Sequence, residues 1–152
     1  MIILDAYAVL ALVKGETSAP QVRDLLRGDD DTRLTSVGVA EVVDHLIRLC
    51  GADEDDAALD IAQLGLADAL PVNGATALRA GLLRARHYHR RDRAVSLADC
   101  IAAAMAEAHS TAVVTSDPHL LDLCHDERIR VIVLPDSTGR SWTPRDRTTQ
   151  TP

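Results

Sequence analysis

The chain has no phenylalanine, and aromatic residues make up only 2% of it. A core without large rings must be filled by Leu, Val, Ile and Ala, small side chains that let helices lie close on a sheet. Cysteine is also scarce: Cys50, Cys100 and Cys124 are odd in number and widely spaced. Without a C-x-x-C pair they argue against a disulfide framework or a cysteine zinc site, and they read as buried, inert thiols. Lysine occurs once, at Lys14. No apolar run reaches the ~20 residues that span a bilayer, and the opening MIILDAYAVLALV lacks a positive leader and is broken by Asp5. These absences point to a reducing, cytoplasmic setting with no membrane partner.

What is present is a 152-residue chain, 47% hydrophobic, which suits one compact domain. Its formal net charge is -7, the wrong sign for a protein that simply coats nucleic acid. The charge is uneven, however. From Arg79 to Arg93 lie Arg79, Arg84, Arg86, Arg90, Arg91 and Arg93 against Asp92 alone, a +5 ridge on a body of -12. An acidic body with one basic ridge fits a polyanionic substrate better than the total suggests.

Short apolar runs alternate with longer amphipathic ones. Strands are expected at Ile2–Leu4, Thr32–Thr35, Ala69–Val72, Ala112–Thr115 and Arg130–Leu134. Between them, helices are expected over Ala6–Val13, Ala19–Arg27, Val37–Leu49, a segment opened by Asp53, one from Asn73 toward Arg90, Ser96–Glu107 and Pro118–Leu123. This alternation predicts an α/β fold, a mainly parallel sheet of four to five strands with helices on both faces. In such sheets the functional crevice lies at the carboxyl ends of the strands. The domain is expected to occupy residues 1–134, and the Ser-, Thr-, Arg- and Pro-rich stretch 135–152 reads as a mobile tail.

Four acids stand where that crevice would form. Each has a plain structural reading as well. Asp5 and Asp117 follow strands and precede helices, as N-caps do, and Asp117 is followed by Pro118 in the usual first-turn pairing. Asp99 fits a capping box with Ser96. Glu41 lies early in a helix, where negative charge favours the dipole. Together, though, two strand ends and two helix starts would bring four carboxylates to one edge. Like charges at about 4–6 Å repel by energies on the kcal/mol scale. Such a cluster persists by taking up protons or a cation, and an all-oxygen donor set selects a hard ion, Mg²⁺ or Mn²⁺. Magnesium held by few carboxylates keeps waters and engages phosphate, which points to phosphodiester chemistry.

The stretches Ile3-Leu-Asp5-Ala-Tyr-Ala-Val-Leu, Thr35-Ser-Val-Gly-Val-Ala-Glu41-Val, Leu97-Ala-Asp99-Cys-Ile-Ala and Val114-Thr-Ser-Asp117-Pro-His-Leu resemble, in order and spacing, a PIN domain of the VapC toxin type. The resemblance runs from Met1 to about Leu134. It implies a PIN-like α/β/α sandwich and a Mg²⁺-dependent endoribonuclease, with Mn²⁺ as a possible substitute. Asp5 and Asp99 would be the principal metal ligands, with Glu41 and Asp117 completing the set and orienting the nucleophile. Thr115 and Ser116 would hydrogen-bond ligands or phosphate, or serve as plain turn residues. The metal would lower the pKa of the attacking water and offset charge on the phosphate. The resemblance also implies a cognate VapB-type antitoxin, with Leu10 and Leu12 as candidate groove residues or core, and a homodimer. Tyr7 departs from the family, which commonly has a small residue there.

Arg84, Arg86, Arg90, Arg91 and Arg93 read as a phosphate clamp for RNA, with Tyr88 or a histidine available for stacking. The alternative is a solubilising helix end. His87, His89 and His119 lack metal-ligand spacing, and Asp44, His45 and Asp122 read as surface groups. A haloacid-dehalogenase-type phosphatase needs an acid at the position of Tyr7, and a receiver domain needs a late lysine, so both are disfavoured. The non-enzyme alternative is a catalytically silent PIN-like module that binds RNA or protein.

Overall fold

A computed structural model describes residues 1–144. The part of the expected tail over 145–152 lies outside the described residues. Strand β1 (Ile2–Leu4) leads into α1 (Ala6–Val13) and α2 (Ala19–Arg27). After β2 (Thr32–Arg33) come α3 (Ser36–Arg48), α4 (Glu54–Gln63), α5 (Gly74–His87) and α6 (Leu97–Ala108). The chain then forms β3 (Ala112–Thr115), α7 (Pro118–Glu127) and β4 (Arg130–Val133). The four strands form one sheet in the order β2-β1-β3-β4, with every pairing parallel. The stretch around Ala69–Val72 contributes only a single parallel bridge, Thr35 to Leu70, at the β2 edge. Its ladder is two bonds, Leu70 N–H to Leu34 O and Ser36 N–H to Leu70 O.

Alternation along the strands builds the two layers of core. Ile3 and Val113 face one cluster with Ala80, Leu83, Ile101, Ala103, Leu120 and Leu123. Ile2, Leu4 and Val114 face the other, with Val9, Val22, Leu34, Val42, Leu46 and Ile61. Successive strand residues point to opposite faces, so a strand covered on both sides carries apolar residues throughout. In α6 every residue from Asp99 to Ala106 is buried, and the alanines among them let the helix sit deep between α5 and the sheet. Leu10 belongs to this core and Leu12 is packed against it, so Leu10 takes the core reading rather than the groove one.

Capping chemistry sets most helix starts. Asp53, Asn73 and Thr35 each accept a bond from the backbone N–H three residues on. At Gly38 a Cβ would lie 3.1 Å from Leu34 Cδ2 and 3.2 Å from Thr35 Oγ1, so glycine lets α3 begin tight against β2. The thiols divide. Cys100 and Cys124 are buried, and burial pushes both up to about 12. Cys50 is exposed at the end of α3, which corrects its expected burial.

Candidate active site

The carboxyl ends of β1 and β3 and the first turns of α3 and α6 meet at one edge of the sheet. Asp5 continues the β1–β3 ladder, its N–H bonded to Val114 O at 3.0 Å. It occupies the N-cap position of α1 in extended backbone, yet its side chain makes no capping bond. Instead the carboxylate, only 2% exposed, accepts a bond from the Thr115 hydroxyl at 2.8 Å. Thr115 is itself fully buried and also accepts from Asp117 N–H at 3.0 Å. One hydroxyl therefore ties the end of β1 to the turn after β3. Ser116 beside it is half-buried.

Asp99 and Asp117 take the capping roles expected of them. Ser96 and Asp99 form a reciprocal capping box, Ser96 N–H to Asp99 Oδ2 at 2.6 Å and Asp99 N–H to Ser96 Oγ at 3.0 Å. Asp117 caps α7 by accepting from His119 N–H at 2.7 Å through Oδ1. In each case one named oxygen serves the helix, and the carboxylate still faces its neighbours. Glu41, in the second turn of α3, is half-buried.

These four acids feel one another. Burial, then the Asp99 charge, push Asp5 well above the ordinary carboxylate range; the Thr115 bond opposes this, and Asp117 and Glu41 add to it. Burial, Asp99, Asp117 and Asp44 raise Glu41 from 4.5 to about 7. Asp99 is also raised, by burial against the opposing Ser96 bonds, with Asp117 adding and His119 subtracting. Removing water from carboxylates and crowding them are the two physical causes. The sheet edge thus concentrates negative charge that is offset by protons or by a cation. The donor chemistry, oxygen throughout, fits a hard divalent ion. Among the described residues, no group of three or more His, Cys, Asp or Glu side chains is already arranged to hold one.

Other residues fall differently from expectation. Tyr7 stands at the mouth: it is 49% exposed, and partial burial, then the charges of all four carboxylates, raise its phenol. Its ring meets that of His45 edge-on at 6.5 Å. Its place in the first turn of α1, two residues after Asp5, is the signal that could have located it. His119 lies near enough to Asp99 to lower it, with Nδ1 buried and without a hydrogen-bond partner among the described residues. Asp44 is exposed and paired with Arg48. Asp122 is not a surface group: it is 5% exposed and accepts from the Trp142 indole at 2.9 Å.

The basic ridge is less uniform than its sequence. Helix α5 stops at His87, and His89 and Arg93 close a small antiparallel turn by two backbone bonds. Arg93 is committed inward, bonding Asp126 at 2.6 Å and His87 at 2.8 Å. Arg79 bonds Glu107 and Glu127, and His87 also bonds Glu127. Arg86 reaches Glu127 at 3.8 Å, and Arg84 stacks on the Tyr88 ring at 4.3 Å. Arg90 and Arg91 are exposed at the tip of the turn.

A parallel sheet sandwiched by helices, with acids gathered at its carboxyl edge, defines an α/β/α domain built to concentrate negative charge. Within that class the PIN domain family model matches residues 2–126, and the chain belongs to the PIN domain family. In fold it is similar to VapC20 of Mycobacterium tuberculosis, described as a sarcin-ricin loop cleaving toxin, at 16% identity and a TM-score of 0.66, covering 89% of this chain and 100% of that one. It is also similar to FitAcB from Neisseria gonorrhoeae, at 21% identity and a TM-score of 0.61, covering 87% and 96%. A toxin-antitoxin complex from Klebsiella pneumoniae matches at 18% identity and a TM-score of 0.57, covering 77% and 87%. No curated protein matches the chain by sequence.

Proposed function

We propose that the chain is a divalent-cation-dependent endoribonuclease, the toxin half of a VapBC-type pair, using Mg²⁺ or in its place Mn²⁺. The observation that carries this reading is Asp5. It sits at an N-cap without capping, buried, held by one hydroxyl and facing three further acids. A buried carboxylate of this kind is costly to the fold, and nothing in α1 uses its side chain. Its retention is explained by a ligand.

Asp5 and Asp99 would hold the cation, with Glu41 and Asp117 closing the set. Bound there, the ion would offset charge on the phosphate and acidify water. Thr115 fixes the Asp5 carboxylate, and the Ser96 box fixes Asp99. Glu41 would hold the ion directly or through water and orient the attacking water. Arg84, Arg86, Arg90 and Arg91 would grip the RNA backbone, while Arg93 braces the turn that carries them. The resemblance in fold to toxin–antitoxin complexes supports a VapB-type antitoxin as partner; a homodimer and a cytoplasmic setting belong to the same reading.

A silent PIN-like module that binds RNA or protein is favoured by one observation, the lack of a preformed metal group among the described residues. Incubating a structured RNA with the protein or its Asp5→Asn variant, with and without Mn²⁺ or Mg²⁺, separates the readings. Cleavage that needs both the cation and Asp5 is expected. Equal cleavage by both proteins would sink the assignment, and cleavage by neither would favour the silent module.

A further inference from the structure

Beyond β4 the chain turns back along α7. Asp136 accepts bonds from Thr138 N–H, Thr138 Oγ1–H and Arg140 N–H, and Gly139 adopts the positive φ of 83° that closes this turn. The Thr17 hydroxyl bonds Ser137 O at 3.2 Å, fastening the turn to the start of α2. Trp142 is then pinned from two sides. Its indole N–H bonds buried Asp122, and its ring meets His125 edge-on at 6.0 Å. Between this strap and the entry to α7 lies a cavity of about 280 Å³, lined by Ser116, Pro118, Asp136, Arg140, Ser141 and Trp142.

Two of those residues, Ser116 and Pro118, flank Asp117 of the acidic centre. We propose that this cavity receives one unpaired nucleotide of the RNA, next to the cleaved bond, with its base against Trp142 and its phosphate toward Arg140. The proposal rests on the ribonuclease reading. The chemistry matches piece by piece. An indole wall offers a face for stacking, which any base can use and which recurs where single strands are bound. Arg140, 80% exposed at its side chain and paired through Nε with Asp136 at 3.4 Å and Thr138 Oγ1 at 2.9 Å, offers its remaining guanidinium N–H groups at the rim, and the Ser116 and Ser141 hydroxyls offer polar contacts. The volume, just below the roughly 300–1,000 Å³ of clefts that take drug-sized ligands, suits one base and its sugar, with the phosphate at the rim, rather than a duplex. The Asp122 bond holds the indole before any RNA arrives, so little ordering is left for binding.

Trp142 is the chain's only tryptophan, so its emission reports on this cavity alone. In full-length protein carrying Asp5→Asn to block turnover, a short single-stranded oligoribonucleotide is titrated in Mg²⁺. Emission and the anisotropy of a dye on the RNA are followed together. The two signals are expected to saturate at the same midpoint. One abasic position along the RNA is expected to abolish the emission change and weaken binding on the order of tenfold, the size of one lost stack. Arg140→Gln, which leaves the indole in place, is expected to weaken binding several-fold and flatten its salt dependence. RNA that binds by anisotropy without altering emission overturns the proposal while leaving the nuclease reading intact. So does an emission change reproduced by polyglutamate, or equal binding by every abasic RNA. No binding, together with no cleavage by native protein, overturns both.

Discussion

Protein freed of divalent cations by chelation is expected to lose stability as pH rises from about 5 to about 8. The folded state holds carboxyl protons that the unfolded chain releases. Glu41 is raised to about 7, and Asp5 and Asp99 move the same way. A group raised in the folded state contributes its stability fully below its unfolded pKa, ~4.3 for Glu, and loses it as pH climbs through the folded value. For Glu41 the ceiling is ~3.8 kcal/mol at ~1.4 kcal/mol per pH unit. Because that carboxyl is only half-buried, screening by water brings the figure to ~1–2 kcal/mol, or roughly 2–8 °C in Tm for a chain of this length. Asp5 and Asp99 add to it in sign. Mn²⁺ at about a hundred times its Kd would restore ~2.7 kcal/mol, and more at the higher pH, where its ligands have lost their protons. Thermal melts followed by far-UV circular dichroism, with chelator and with Mn²⁺, read both slopes. A midpoint that stays flat or rises across this pH range in chelator would refute the claim that these acids crowd one another. Asp5→Asn is expected to shallow the slope.

Thr115→Val keeps the shape but leaves Asp5 Oδ2 and Asp117 N–H without their shared hydroxyl. A loss of ~1.5–3 kcal/mol in urea unfolding is expected, with cleavage falling further than stability explains; a change under ~0.5 kcal/mol would remove Thr115 from the argument. The ridge arginines are expected to separate by role. Arg90→Glu with Arg91→Glu weakens RNA binding and its salt dependence at unchanged Tm, whereas Arg93→Glu removes one partner of Asp126 and of His87, sets a carboxylate against Asp126, and lowers stability by about 1–3 kcal/mol. Unaltered RNA affinity in the double variant across a salt titration would count against the ridge as a contact surface.

The features read most directly from sequence were those set by neighbours in the chain. Asp53, Asn73 and Ser96 announce helix starts because a cap reaches only three residues. Unbroken apolar runs at Ile2–Leu4 and Ala112–Val114 announce strands covered on both faces. Features set by partners far along the chain were not legible. Thr115 reads equally as a turn hydroxyl or as one that bonds a ligand until β1 and β3 lie side by side and bring it to Asp5, 110 positions away. Asp122, on a short helix, looks solvated until Trp142 folds back onto it. Arg93 looks like its ridge neighbours until α7 brings Asp126 against it. The stretch around Leu70 has a strand's composition but only one bridge, because its partner β2 is itself two residues long.

The different loads on Asp5 and Asp99 have a consequence for how such a centre decays. Asp99 holds the first turn of α6 through Ser96, and a residue there that cannot accept that bond strips a cap worth about 1 kcal/mol. The Asp5 side chain supports nothing in α1, so replacing it with a neutral isostere removes a buried, repelled charge and relieves the folded state. Drift toward inactivity is therefore downhill at one acid and uphill at the other. Among inactive relatives of this chain, the position of Asp5 is expected to change first, with the Ser96–Asp99 pair outlasting the activity it once served.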